Sequence, residues 1–163
     1  MKGCLVLIIV ITLGMAKQPA VQKHVPLVTL DKLEKRLENS GDTTFVVNLW
    51  ATWCAPCVAE MPHFEKLQQN YQSAPLKVLF VSLDTKHNQA TVTKFVHERG
   101  LKNEVLLLDE KNEQYFIDKI STEWSGAIPA TLFVNTSKGI RVFKEQEFDY
   151  QQLEKDYLSI VHQ

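Results

Sequence analysis

Apolar residues recur along this chain in two rhythms, and the alternation between them predicts the elements. From Asp31 to Asn39 the spacing is helical. Leu30, Leu33 and Leu37 share a face, Thr29 or Asp31 supplies an N-cap, and Gly41 stands just past the end. Two continuous apolar runs, Thr44 to Leu49 and Leu76 to Leu83, are too uniform to leave one side in water, so they predict strands covered on both faces. Helical spacing returns from about Cys54 to Tyr71, with Phe64, Leu67 and Tyr71 turned inward, and Pro62 is expected to remove a hydrogen bond there and bend the axis. It returns again from Asn88 to Arg99, where Val92, Phe95 and Val96 share a face and Gly100 is the stop. Val105 to Leu108 is a further strand, followed by a short helix around Asn112 to Ile120.

The last third changes character. Ala130 to Val134 and Ile140 to Lys144 flank a polar turn containing Lys138 and Gly139, the pattern of an antiparallel hairpin. A final helix from about Asp149 to Val161 keeps Tyr150, Leu153, Tyr157, Leu158 and Val161 on its apolar side. Strand and helix in alternation imply parallel pairing with right-handed crossovers, so the expected architecture is α/β, a central mixed sheet flanked by helices.

Composition narrows this to one domain. The chain has 163 residues, 45% hydrophobic and 23% charged, enough to bury a core, with no repeats or low-complexity tracts. A formal charge of −1 without a basic cluster argues against nucleic acid as a partner. The N-terminus stands apart. Lys2 precedes an apolar run from Gly3 to Ala16, with small residues at Gly14 and Ala16, the positions a signal peptidase reads. That run is shorter than the roughly 20 residues of a membrane span. Residues 1–16 are therefore expected to be a cleaved secretory signal, with an uncleaved anchor as the alternative, 17–28 a linker ending in an edge segment, and 29–163 the folded domain.

The chemistry lies between the first buried strand and the second helix. Cys54 and Cys57 stand with two residues between them where a strand feeds a helix N-terminus, and the free N–H groups and positive dipole end there favour a thiolate. Cys54 is thereby the nucleophile. Pro56 suits the first helical turn, and Cys57, inside the helix, is placed to resolve a mixed disulfide. A structural zinc site needs four ligands, and the other candidates are Cys4 in the apolar run and five scattered histidines without paired spacing, so no metal is expected. A purely structural bridge is the other alternative, but so tight a loop constrains little of the unfolded chain.

The motif Trp53-Cys54-Ala55-Pro56-Cys57, with Ile128-Pro129 before a hairpin and a terminal helix, resembles the thioredoxin fold. The longer stretch from Asn48 to Cys57, with Glu60 and Pro62, is similar to the extracytoplasmic TlpA/ResA-like thiol-disulfide oxidoreductases. The resemblance covers about Val46 to Val161 and implies that Asn88 to Leu108 is that group's inserted helix and strand. It also implies that Pro129 follows a cis bond, so that Ile128 presents backbone beside Cys54 for a substrate strand; a trans proline entering a strand is the alternative. Asn48 takes the place of the buried aspartate of cytosolic relatives, and Glu60 stands where the group carries its acid.

Glu60, three residues after Cys57 on the same helix face, is placed to take the Cys57 proton through a water; the plainer alternative is an acid that only complements the helix dipole. Trp53 is expected at an exposed substrate rim with Ala55 and Pro56, Trp50 packed inside, and Trp124 lining the groove before Ile128. Since neither Ala55 nor Pro56 offers a side-chain donor, thiolate stabilisation is modest and the potential low. The expectation is an exported reductase, without cofactor and monomeric, acting on protein disulfides and recharged by a membrane electron donor of thiol-reducing type. By resemblance its substrates include apocytochrome c. An oxidase or isomerase is the alternative within enzymes, and a copper-delivery module using both thiols the alternative outside them.

Overall fold

A strand whose residues all point into protein must lie inside a sheet with both faces covered, and Thr44–Trp50 is such a strand: all seven residues are buried. It is the second strand, β2, of the six in the structure, a computed structural model that describes residues 22–162. In chain order the elements are β1 (Leu27–Val28), α1 (Leu30–Glu38), β2 (Thr44–Trp50), α2 (Ala55–Asn70), β3 (Leu76–Ser82), a single 3-10 turn (Lys86–Asn88), α3 (Gln89–Arg99), β4 (Glu104–Leu108), α4 (Glu113–Ile120), β5 (Ala130–Asn135), β6 (Ile140–Lys144) and α5 (Tyr150–Val161). The sheet order is β1-β4-β3-β2-β5-β6. β1, β4, β3 and β2 are parallel; β5 and β6 complete the sheet antiparallel.

The period-two alternation of β2 sorts its side chains between two cores. Val46 and Trp50 join α2, α3 and α5 through Phe64, Val92, Val96, Leu153 and Tyr157. Phe45, Val47 and Leu49 join α1 and α4 through Leu30, Leu33, Leu37, Phe116 and Ile120. Asn48 projects with the first set and is fully buried. The inserted unit, α3 with β4, extends the parallel half of the sheet. Gly100 ends α3 in the left-handed conformation (φ 62°), as its place in the sequence predicts.

Pro62 withholds the N–H that would reach the Val58 carbonyl, and α2 continues through it from Ala55 to Asn70. One expectation needs adjusting. The expected linker, described from Gln22 onward, is already part of the domain. Gln22 bonds both backbone groups of Val105, Val25 is fully buried, and Leu27–Val28 pair with β4. The apolar run proposed as a signal falls outside the described residues. Among those described, no helix is long and apolar enough to cross a membrane.

Candidate active site

The site is built where β2 ends, because three local devices fix the path from Trp50 to Cys54. The Cys54 N–H donates to the Ala51 carbonyl, closing a tight turn (3.1 Å). Leu83 N–H donates to the Trp50 carbonyl across from β3 (2.8 Å). Between them, Thr52 donates through its backbone N–H (2.9 Å) and its hydroxyl (2.6 Å) to the carboxylate of Asp84, which also accepts from Ser82 Oγ (2.8 Å). A buried carboxylate satisfied by three donors ties the approach to the cysteines to the end of the neighbouring strand.

Cys54 is the N-cap of α2, and its Sγ accepts from the Cys57 N–H at 3.3 Å. That is the charge arrangement which favours a thiolate: free amide hydrogens and the positive helix end around the first sulfur. The two cysteines are joined as a disulfide, with Cα atoms 5.3 Å apart. Cys54 keeps 5% of its surface exposed and Cys57 none, so an incoming sulfur can reach the first and not the second. Ala55 and Pro56 are exposed in the first turn, and Trp53 stands 71% exposed beside them.

The Ile128–Pro129 bond is cis, and the Ile128 carbonyl oxygen lies 3.8 Å from Cys54 Sγ. Sequence residues 74 apart thus meet at the sulfur. Trp124 is buried, packed edge-on against Phe116 and tilted against Phe143, and its Nε1–H donates to the Ala127 carbonyl (2.7 Å). It braces the loop from beneath. From outside, Glu145 accepts from both the N–H (2.8 Å) and the hydroxyl (2.6 Å) of Ser125. Those donors hold the Glu145 carboxyl below its ordinary range.

Glu60 lies one turn beyond Cys57 and is 1% exposed. Its Oε1 accepts from Asn48 Nδ2 (2.7 Å) and its Oε2 from the Phe148 N–H (2.7 Å). Burial disfavours the charged form more than these two donors favour it, and nearby Glu147 adds repulsion, so the carboxyl is pushed up from 4.5 to about 7. A group in that range takes and returns protons at neutral pH. Among the described residues no three His, Cys, Asp or Glu side chains cluster as metal ligands.

Sequence inspection named the cysteines, Glu60 and the cis-proline loop, but missed Asp84, Thr52, Glu145 and the amide of Phe148. Asp84 carried a faint signal, an acid closing a buried strand. Phe148 carried none, because its part is played by backbone.

Comparison with known proteins agrees with this geometry. The model of the AhpC/TSA family matches residues 18–143. Sporulation thiol-disulfide oxidoreductase A of Bacillus subtilis is 30% identical over 112 residues, 66% of this chain and 67% of that protein. Thiol-disulfide oxidoreductase ResA of Oceanobacillus iheyensis is 31% identical over 118 residues, 72% of this chain and 56% of that one. The chain thus spans 56% to 67% of the length of these two curated relatives. Among solved structures, a thioredoxin-related protein from Neisseria meningitidis superposes with a TM-score of 0.63 at 24% identity, covering 73% of this chain and 84% of that one, a likeness of fold. The chain belongs to the AhpC/TSA family, thioredoxin-like in fold and grouped by its relatives with the thiol-disulfide oxidoreductases of the ResA and sporulation type.

Proposed function

We propose that this chain is an exported disulfide reductase whose Cys54 and Cys57 pass two electrons to protein disulfides. The Cys54 thiolate attacks a substrate disulfide, forming a mixed disulfide and releasing one substrate thiolate. Cys57 gives up its proton, by way of a water, to Glu60 and attacks Cys54 Sγ. The second substrate sulfur leaves as a thiolate, and Cys54–Cys57 ends oxidised. A thiol-reducing membrane donor returns the pair to the dithiol by the reverse exchange. Trp53, Ala55, Pro56 and Ile128 form the contact surface, with the backbone of Ile128 beside the cis-Pro129 pairing with an extended substrate segment. Export rests on the apolar run from Gly3 to Ala16, and apocytochrome c is a substrate of the kind the resemblance to ResA-like proteins suggests.

The observation that carries the direction is the poverty of donors at Cys54. Its Sγ accepts from the Cys57 N–H, while the exposed Ala55 and Pro56 add no side-chain donor. A thiolate stabilised this modestly leaves its disulfide hard to reduce, and the dithiol reducing. Equilibration against a redox buffer is expected to give a potential near that of thioredoxin, about −270 mV. A value near that of DsbA, about −120 mV, overturns the reductase in favour of an oxidase.

A further inference from the structure

Asn48 stands mid-strand in β2, opposite Thr131 of β5 and Phe80 of β3, and is fully buried. Its Nδ2 lies 2.7 Å from Glu60 Oε1 and 3.4 Å from Thr131 Oγ1, whereas its Oδ1 has no partner among the described residues. An amide engaged at both ends is locked in one orientation. This one is engaged only toward Glu60 and Thr131. The torsion that carries it is roughly two-fold, so half a turn exchanges Oδ1 for Nδ2, setting an unpartnered oxygen on the far side in one orientation and two unpartnered N–H groups there in the other. The far side favours the first orientation, so a turn has to be driven from the near side.

The near side changes when Glu60 gains a proton. Oε2 is committed to the Phe148 N–H, a backbone donor that cannot become an acceptor, so an added proton belongs on Oε1, against Asn48. There an N–H would face an O–H, unless the amide turns. The Thr131 hydroxyl, which accepts in one orientation and donates in the other, can follow.

We propose that Asn48 is a positioning residue that follows the proton on Glu60, donating through Nδ2 to the carboxylate and, after half a turn, accepting the Glu60 O–H through Oδ1. This rests on Glu60 being the proton acceptor for Cys57. A fixed donor would hold Glu60 as its anion and an apolar neighbour would hold it as the acid; an amide that turns serves both, so a proton can be taken from Cys57 and returned. The other groups facing Glu60 are few. Glu147 acts from the β6–α5 connection by repulsion, Asn48 of β2 and Thr131 of β5 are uncharged, and on α2 itself Cys57 titrates only when reduced.

The test uses the full oxidised chain, in which neither cysteine titrates, with isotope-labelled Glu and Asn. Nuclear magnetic resonance between pH 5 and 9 is expected to show the Glu60 carboxyl and the Asn48 side-chain amide moving with one midpoint. In Asn48→Leu the Glu60 midpoint rises by about one pH unit, a tenfold gain in proton affinity, because the anion loses its donor. Asn48→Ser, whose hydroxyl both donates and accepts, returns it at least halfway and carries the comparison if the leucine variant does not fold. In the reduced protein the pH profile of exchange shifts with Asn48→Leu, and does not shift when Glu60 is already Gln. Amide resonances that stay still while Glu60 titrates, or an equal profile shift in the Glu60→Gln background, overturn the proposal. A pH profile indifferent to Glu60→Gln alone, with the resonances still moving together, overturns instead the role of Glu60 in exchange.

Discussion

At the scale of single residues the chain separates two sulfurs by exposure and one acid by burial. Cys54→Ser is expected to abolish exchange, since an alcohol at the helix N-cap is not ionised at neutral pH, and the loss is read as failure of the reduced protein to open a model disulfide. Cys57→Ser is expected to stop the reaction at the mixed disulfide, which mass spectrometry detects as a covalent adduct on Cys54. Glu60→Gln keeps the shape and removes the proposed base. Exchange near pH 7 should fall about 100-fold, the lower end of the range of a single positioned proton acceptor. The two cysteines were legible in the sequence because their relation is local, three residues apart on one turn. The state of Glu60 was not, for it depends on Phe148, 88 positions away, and on how deeply α2 is covered by α5.

At the scale of elements, the strand and helix pattern read from apolar spacing located nearly every element, because amphipathic periodicity records which face is buried. What spacing could not record was how two elements are tied at their ends. The turn before Cys54 is held to β3 by Asp84, and the loop before Pro129 is held by Trp124 from below and Glu145 from outside. Each tie joins residues at least 20 apart, apart from the Trp124 contact within its own loop. Asp84→Ala is therefore expected to do two things. It leaves the Thr52 N–H and two hydroxyls without their acceptor, a loss of roughly 2 to 4 kcal/mol in the urea-unfolding free energy. It also frees the turn that aims Cys54, so exchange slows with the cysteines intact. A variant equal to the parent in both measurements would remove Asp84 from the architecture of the site.

At the scale of the molecule, two carboxylates make stability depend on pH in opposite senses. Glu60, raised to about 7, binds its proton more tightly folded than unfolded. Its contribution is complete below about 4.5 and is lost as pH rises through 7, by about 2 to 3 kcal/mol. Glu104 runs the other way: hydrogen bonds from Arg36 and then Lys77, opposed by burial, hold it at about 2. Its contribution is present above about 4.5 and lost as pH falls toward 2, and partial exposure of the network reduces it to about 1 kcal/mol. Urea titrations of the oxidised chain should thus find greater stability near pH 5 than near pH 8. Glu60→Gln should flatten the alkaline limb and leave the acid limb standing; Glu104→Gln should do the converse. An alkaline limb that survives Glu60→Gln would mean that the buried acid is not what the fold strains to keep charged. With it flattened, the same burial that raises the proton affinity of Glu60 is measured as stability given up at neutral pH, a cost that a solvent-exposed acid complementing the helix dipole would not carry.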